Sequence, residues 1–262
     1  MQILFFVISL FASVAGAICG IGGGVIIKPL LDFFRLTSVS AISFLSGCTV
    51  LSMSCYSVIK GLLAHDNQVD TKTGTPLAIG AAIGGVIGQK LFSTIRTFFE
   101  NPNTVGALQG ICMFLITAGT FVYTLKKNGI KTLTITSPSV CLAIGLMLGA
   151  MSSFLGIGGG PINLVVLGYF FSMRSKQATQ NSLYMILFSQ ATNLLTIFVH
   201  ATIPEFDPLT LWLMVAGGIF GGIAGRKFNR RMEERALDVL FLILMLFIMV
   251  ISLYNTWRYM SL

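Results

Sequence analysis

The sequence predicts an all-α polytopic membrane protein. About eight transmembrane helices fall in two homologous four-helix halves, each opening with a helix broken by the string GIGGG. Three observations carry this reading. Of 262 residues, 55% are hydrophobic and only 10% charged, with mean hydropathy +0.86, where a soluble domain carries roughly 25% charged residues. Apolar runs near the ~20 residues of a helical span recur from one end to the other. The glycine-rich string occurs twice, as Gly20-Ile21-Gly22-Gly23-Gly24 and Gly156-Ile157-Gly158-Gly159-Gly160. Such a composition excludes an ordinary water-soluble enzyme, a disordered chain or a nucleic-acid binder.

The apolar runs lie at about 2–34, 39–64, 76–98, 104–125, 138–171, 178–200, 208–228 and 236–257. Helices are the expected form, because a span must satisfy its own backbone hydrogen bonds. The first and fifth runs are too long for one simple pass, and each holds one glycine string. Those strings are offset by 136 residues, while Gly80, Gly84 and Gly88 match Gly217, Gly221 and Gly225 at 137, as Ala41 matches Ala178. Two kinds of match at nearly one offset argue for a tandem repeat. Residues 1–125 form the first half, 126–137 a polar linker and 138–262 the second half. Residues 1–17 lack a basic n-region and read as a retained membrane segment rather than a signal peptide.

Topology follows from lysine and arginine placement. Arg35, Lys90/Arg96, Arg174/Lys176 and the 226–235 loop alternate with acidic turns at 65–70 and 205–207. Eight passes with basic turns in the cytoplasm fit that alternation, with both termini outside and the repeats parallel. Re-entrant broken segments would give each half an odd number of passes and make the repeats inverted. The net charge of +8 belongs to such anchors and suits an anionic solute. The five cysteines lie in apolar runs without a CxxC pair, so neither a disulfide framework, a metal site nor a cofactor is expected.

The glycine breaks are the leading site candidates. Consecutive glycines do not hold a helix, and unwound backbone in a membrane is tolerated only inside protein or beside a wet cavity. A following half-helix offers free N–H groups and a positive dipole end to an anion. The expected substrate-binding residues here are Gly20, Gly22, Gly23, Gly24, Gly156, Gly158, Gly159 and Gly160. Lys28, four residues past the first break with Asp32 one turn later, joins them as an ionisable group inside a span. Its bland alternative is an i,i+4 ion pair with Asp32. Polar stripes supply the rest: Ser43, Ser46, Gly47, Ser54, Ser57 and Gly61 on the second run, and Ser182, Ser189, Asn193, Thr196 and His200 on the sixth. Asn163, Asn181 and Gln190 add amides; such groups line a pathway or hold helices together. His65 and His200 end their helices beside acidic turns, a weak hint of proton coupling. The glycine ladders read as close-packing faces, and they offer contacts to a second copy.

GIGGGVIIKPLLDFF and GIGGGPINLVVL, each opening a run of four hydrophobic segments, resemble the sulfite exporter TauE/SafE family of membrane transporters. The resemblance covers essentially the whole chain. It implies export or uptake of small anions such as sulfite, sulfonates or thiosulfate across a plasma (inner) membrane. The halves depart from each other, since Lys28-Pro29 meets Leu164-Val165 at the repeat offset. A secondary transporter is therefore expected, with the lipid bilayer and a small anionic solute as partners and no nucleic acid. A channel-like uniporter and a non-transporting assembly or sensor subunit are the rivals. An enzyme is not expected: the chain holds no HExxH, no GxSxG and no Walker A string.

Overall fold

Ten α-helices and one 3-10 turn, without strands, make up the described residues of the computed structural model, which are 2–34, 37–63, 68–98, 102–157, 159–200 and 202–260. Arg35, His65 and Gly158 lie outside them. The helices are α1 (Gln2–Cys19), α2 (Gly24–Phe34), α3 (Val39–Leu63), α4 (Thr71–Phe98), α5 (Pro102–Lys126), α6 (Pro138–Leu155), α7 (Pro161–Phe171), α8 (Ser175–Val199), α9 (Pro208–Arg231) and α10 (Glu234–Met260). All but α2 and α7 are long and apolar enough to cross a membrane. Those two have 11 residues each, about 16 Å at 1.5 Å per residue, half of a bilayer core. The element order long, short, long, long, long occurs twice along the chain.

Glycine ends the long helix before each short one. Gly20 and Gly22 have φ of +74° and +69°, and Gly156 and Gly159 have +65° and +153°, which a side chain disfavours. Gly156 is the left-handed C-cap of α6. Helix α7 restarts on Pro161, whose fixed φ suits a first helical position and whose missing N–H costs nothing there.

The chain turns back at both breaks. Helices α1 and α9 run side by side in one direction: the Gln2 amide donates to Asp207 at 2.9 Å, and the Asn229 amide donates to the Ile18 carbonyl at 2.6 Å. Helix α10 returns from the end of α9, and its Arg258 donates to the Phe33 carbonyl at 3.0 Å. Phe33 therefore lies at the end of the bundle that holds Gln2. On the other side of the molecule, Leu133 and Ile135 N–H groups donate to Tyr169 and Phe170 carbonyls at 2.7 and 3.0 Å. The end of α7 thus comes back to the segment that leads into α6. Both broken segments are re-entrant hairpins, and the arrangement of eight simple passes with parallel repeats is overturned. Lysine and arginine placement misled because it treats each apolar run as one crossing. We call the two ends of the bundle the Gln2 end and the Lys127 end.

The glycine ladders decide which helices meet. A Cβ on Gly80, Gly84 or Gly88 of α4 would collide with the Leu142, Leu146 or Ala150 carbonyl of α6. One on Gly217, Gly221 or Gly225 of α9 would collide with α1. The ladder faces are taken up within the chain, each joining one run of five elements to the other. Outward faces carry Val239, Ile243, Leu246 and Val250 on α10, as lipid requires.

Gly84→Val should force α4 and α6 apart and lower stability by about 1–3 kcal/mol, the usual cost of overpacking. Gly119 has nothing within 4 Å of an added Cβ, so Gly119→Ala should be neutral or gain up to about 1 kcal/mol. Thermal unfolding in detergent checks both, and equal midpoints for the two variants would refute the packing account.

Candidate functional site

The two breaks meet in the centre. A Cβ on Gly24, at the start of α2, would collide with the Ile157 carbonyl in the second break and stand 3.0 Å from Ser46 Oγ. Gly22 and Gly159 both face the Ile186 side chain of α8. Gly23 packs against the α1 backbone at Ala12, 3.2 Å from an added Cβ. The carbonyls that α1 leaves open are taken by α8: Ser182 Oγ donates to Gly20 at 2.6 Å and Thr179 Oγ1 to Cys19 at 3.3 Å.

At the second break a cation does this work. Lys28 is 4% exposed, and its ammonium serves this end. It donates to the Leu155 carbonyl at 2.6 Å and to Gln109 Oε1 at 2.7 Å, while Gln109 Nε2 donates to the Phe154 carbonyl at 2.7 Å. Lysine charge at a helix C-terminus is favoured by the dipole. Two of the three ammonium protons are used. The ammonium also stands just behind Gly156, where an added Cβ would lie 3.1 Å from Nζ and 2.8 Å from Ser43 Oγ.

Gly156 is part of the wall of a cavity of about 710 Å³ that opens at the Gln2 end between α3, α4, α6 and α8. Ser43, Ser153, Gln190, Asn193 and Thr196 line its depth, with Gln89, Lys90 and His200 nearer the mouth. Four of the residues lining it hold a buried polar atom without a hydrogen-bond partner: Ser43 Oγ, Ser153 Oγ, Gln190 Nε2 and Asn193 Oδ1. Buried polar atoms are normally satisfied, so this cluster is equipped for a polar guest or water. Among the described lining residues Lys90 is the one fixed charge, and no carboxylate is present.

At the Lys127 end two hydrogen bonds tie α9 to its neighbours. Arg226 Nη1 donates to the Ser57 carbonyl at 3.0 Å, and the Asn229 amide holds Ile18. A separate cavity of about 230 Å³ at that end reaches Cys19 and carries the Lys127–Asp238 ion pair at 2.6 Å.

The expected site residues therefore divide. Gly156, Gln190 and Asn193 line the cavity, and Lys28 stands directly behind its wall. Gly20, Gly22, Gly23, Gly24 and Gly159 shape the crossing of the breaks instead. Gly160, with no atom nearer than 3.5 Å to an added Cβ, is a spacer before α7. Asn163 donates to Ser182 Oγ at 3.3 Å away from the cavity. Asn181 is fully engaged, donating to Gln68 and Gln177 carbonyls and accepting from the Asp70 N–H. Lys28 makes no ion pair with Asp32 within 4.0 Å among the described residues. The cavity also touches the C-terminal end of α6, not the half-helix N-termini, so its positive charge comes from Lys90 near the mouth and Lys28 behind the wall rather than from a dipole. Sequence reasoning passed over Ser153 and Gln109. A lone amide in the apolar 104–125 run was the available signal for Gln109, because a buried amide in a membrane needs partners.

Residues 5–252 match the family described as Sulfite exporter TauE/SafE. The chain is 26% identical to the probable membrane transporter protein YunE of Bacillus subtilis (strain 168), over 94% of this chain and 95% of YunE. It is 23% identical to the probable membrane transporter protein MamO of Magnetospirillum gryphiswaldense, over 88% of this chain but 41% of MamO. No solved structure matches. A multi-pass bundle, built around two re-entrant hairpins and matched over nearly its whole length, belongs to the sulfite exporter TauE/SafE family of membrane transporters.

Proposed function

We propose that this protein is a secondary transporter, exporter or permease, of small anions, with sulfite, sulfonates or thiosulfate as the substrate class. The anion binds in the cavity at the Gln2 end. One observation carries the reading: Ser43, Ser153 and Gln190, each with a donor group that has no hydrogen-bond partner, line a cavity without a carboxylate among its described residues, and the Lys28 ammonium stands behind its wall. Hydroxyl and amide groups replace water around an oxyanion. At an effective dielectric of about 20, a unit anion about 6 Å from the ammonium gains on the order of 3 kcal/mol. The family description points to sulfur oxyanions. Hydrogen bonds of Arg226 and Asn229 that tie α9 to α3 and α1 at the Lys127 end favour a carrier over a channel, which must open at both ends at once. Release to that end then requires those bonds to part.

Proteoliposomes should take up labelled sulfite saturably, with thiosulfate and sulfoacetate competing and acetate and chloride not. Lys28→Ala should abolish uptake. Gln190→Leu and Asn193→Leu should each raise KM about tenfold or more, since a hydrogen bond to a charged group contributes about 1.5–3 kcal/mol. Unchanged KM in both folded variants would place the anion elsewhere. Gly24→Ala should stop transport or folding, because its Cβ has no room beside Ile157, whereas Gly160→Ala should transport normally. Wild-type flux through Gly24→Ala would refute the crossing of the breaks as an essential contact.

A further inference from the structure

Beneath Lys28 lies a second polar cluster that the anion cavity does not use. Asp32, one helical turn along α2, shares with Lys28 and Gln109 a crevice of about 20 Å³, which is room for about one water. Ser252, Asn255 and Tyr259 of α10 complete its polar lining. Asp32 Oδ1 is buried and has no hydrogen-bond partner. Lys28, one turn earlier on α2, is directed instead at α6 and Gln109. Residues four apart on a helix are neighbours, so the ammonium has two positions open to it: the observed one against α6, and one against Asp32.

We propose that Asp32 is a proton site and that Lys28 is a two-position switch coupling it to the anion cavity, making the transporter a proton–anion cotransporter. The inference rests on the anion reading above. With the carboxyl protonated, Lys28 stays on Leu155 and Gln109, behind Gly156, and its charge favours the anion. When Asp32 gives its proton to water in the crevice, the carboxylate accepts a hydrogen bond from Lys28. The ammonium leaves the Leu155 carbonyl, and the wall of the cavity loses its charge. Only a proton and hydrogen bonds change place. Proton and anion therefore favour each other's binding by the same factor, as linkage requires. Among the described residues lining the crevice, the other titratable group is Tyr259. Arg258, on the same helix, holds the Phe33 carbonyl. Gln109, Leu155 and Ser43 face Lys28 from α5, α6 and α3 as neutral groups.

Two measurements test the switch. The first is calorimetric binding of sulfoacetate to purified protein in buffers of different ionisation enthalpy, which counts protons taken up with the anion. Uptake should be present in the wild type and lost in Asp32→Asn and in Lys28→Gln. In vesicles, Asp32→Asn should keep anion exchange but lose accumulation driven by an inward proton gradient. The second measurement needs no anion: maleimide labelling of Ser43→Cys in a background without the native cysteines, at a series of pH values. The ratio of its rates with and without Asp32→Asn cancels the titration of the thiol itself and should change with pH. Sulfoacetate binding with equal proton uptake in wild type and Asp32→Asn, or a pH-independent labelling ratio, would overturn the switch while leaving the anion site intact. Failure of every anion to bind, with a pH-dependent ratio, would sink the transport reading and still support the switch.

Discussion

Two unwound stretches of backbone meet inside the protein, away from lipid. That contact, Gly24 against the Ile157 carbonyl, constrains everything around it. An unpaired peptide group away from water costs several kilocalories per mole, so each broken helix end needs a donor from a neighbour. Hydroxyls of α8 serve the end of α1, through Thr179 and Ser182. Lys28 and Gln109 serve the end of α6. Neutral donors at one break and a cation at the other give the centre its polarity, and the cavity opens on the side of the cation.

The helical form and the apolar stretches long enough to cross a membrane were legible in the sequence because each rests on a local signal. Apolar length marks a span, and consecutive glycines mark where it stops. The ladders were legible for a similar reason: glycine every fourth residue leaves one flat face whatever it packs on. Which helix fills that face was not legible, since α4 meets α6 and α9 meets α1 across most of the chain. The direction of α2 and α7 was also hidden. A run of apolar residues looks the same whether the chain continues or turns back, and only contacts such as Arg258 on Phe33 reveal the return.

The site was half legible for a related reason. Gln190 and Asn193 show as amides in an apolar run, and both reach the cavity. Asn181 shows the same signal, yet its amide is consumed in tying α8 to the segment before α4. Residue type reports that a partner is needed, not whether that partner is the protein or a solute. Lys28 is the sharper case. A charge in a span marks a special position, but its hydrogen bonds to Leu155 and Gln109 make it a helix cap as well as a source of field.

The two runs of the chain are alike in packing and unlike in chemistry, and the difference bears on mechanism. At the 137-residue offset, Gln190 and Asn193 correspond to Met53 and Tyr56, and Gln89 at the cavity mouth corresponds to Arg226, which ties α9 to α3 near the other end. Met53 is fully buried. A motion that exchanged the roles of the two ends would therefore not create a second polar site at the Lys127 end. It would expose the same central groups, Ser43, Ser153, Gln190 and Asn193, from a different direction. The ladders suit such a motion: glycine faces let helices sit close, with only the small Ser9, Ser13 and Ala17 side chains set between α1 and α9. One fixed site between two differently sealed ends is what a carrier needs, and the unequal sequences of the halves fit that need better than a symmetric pore.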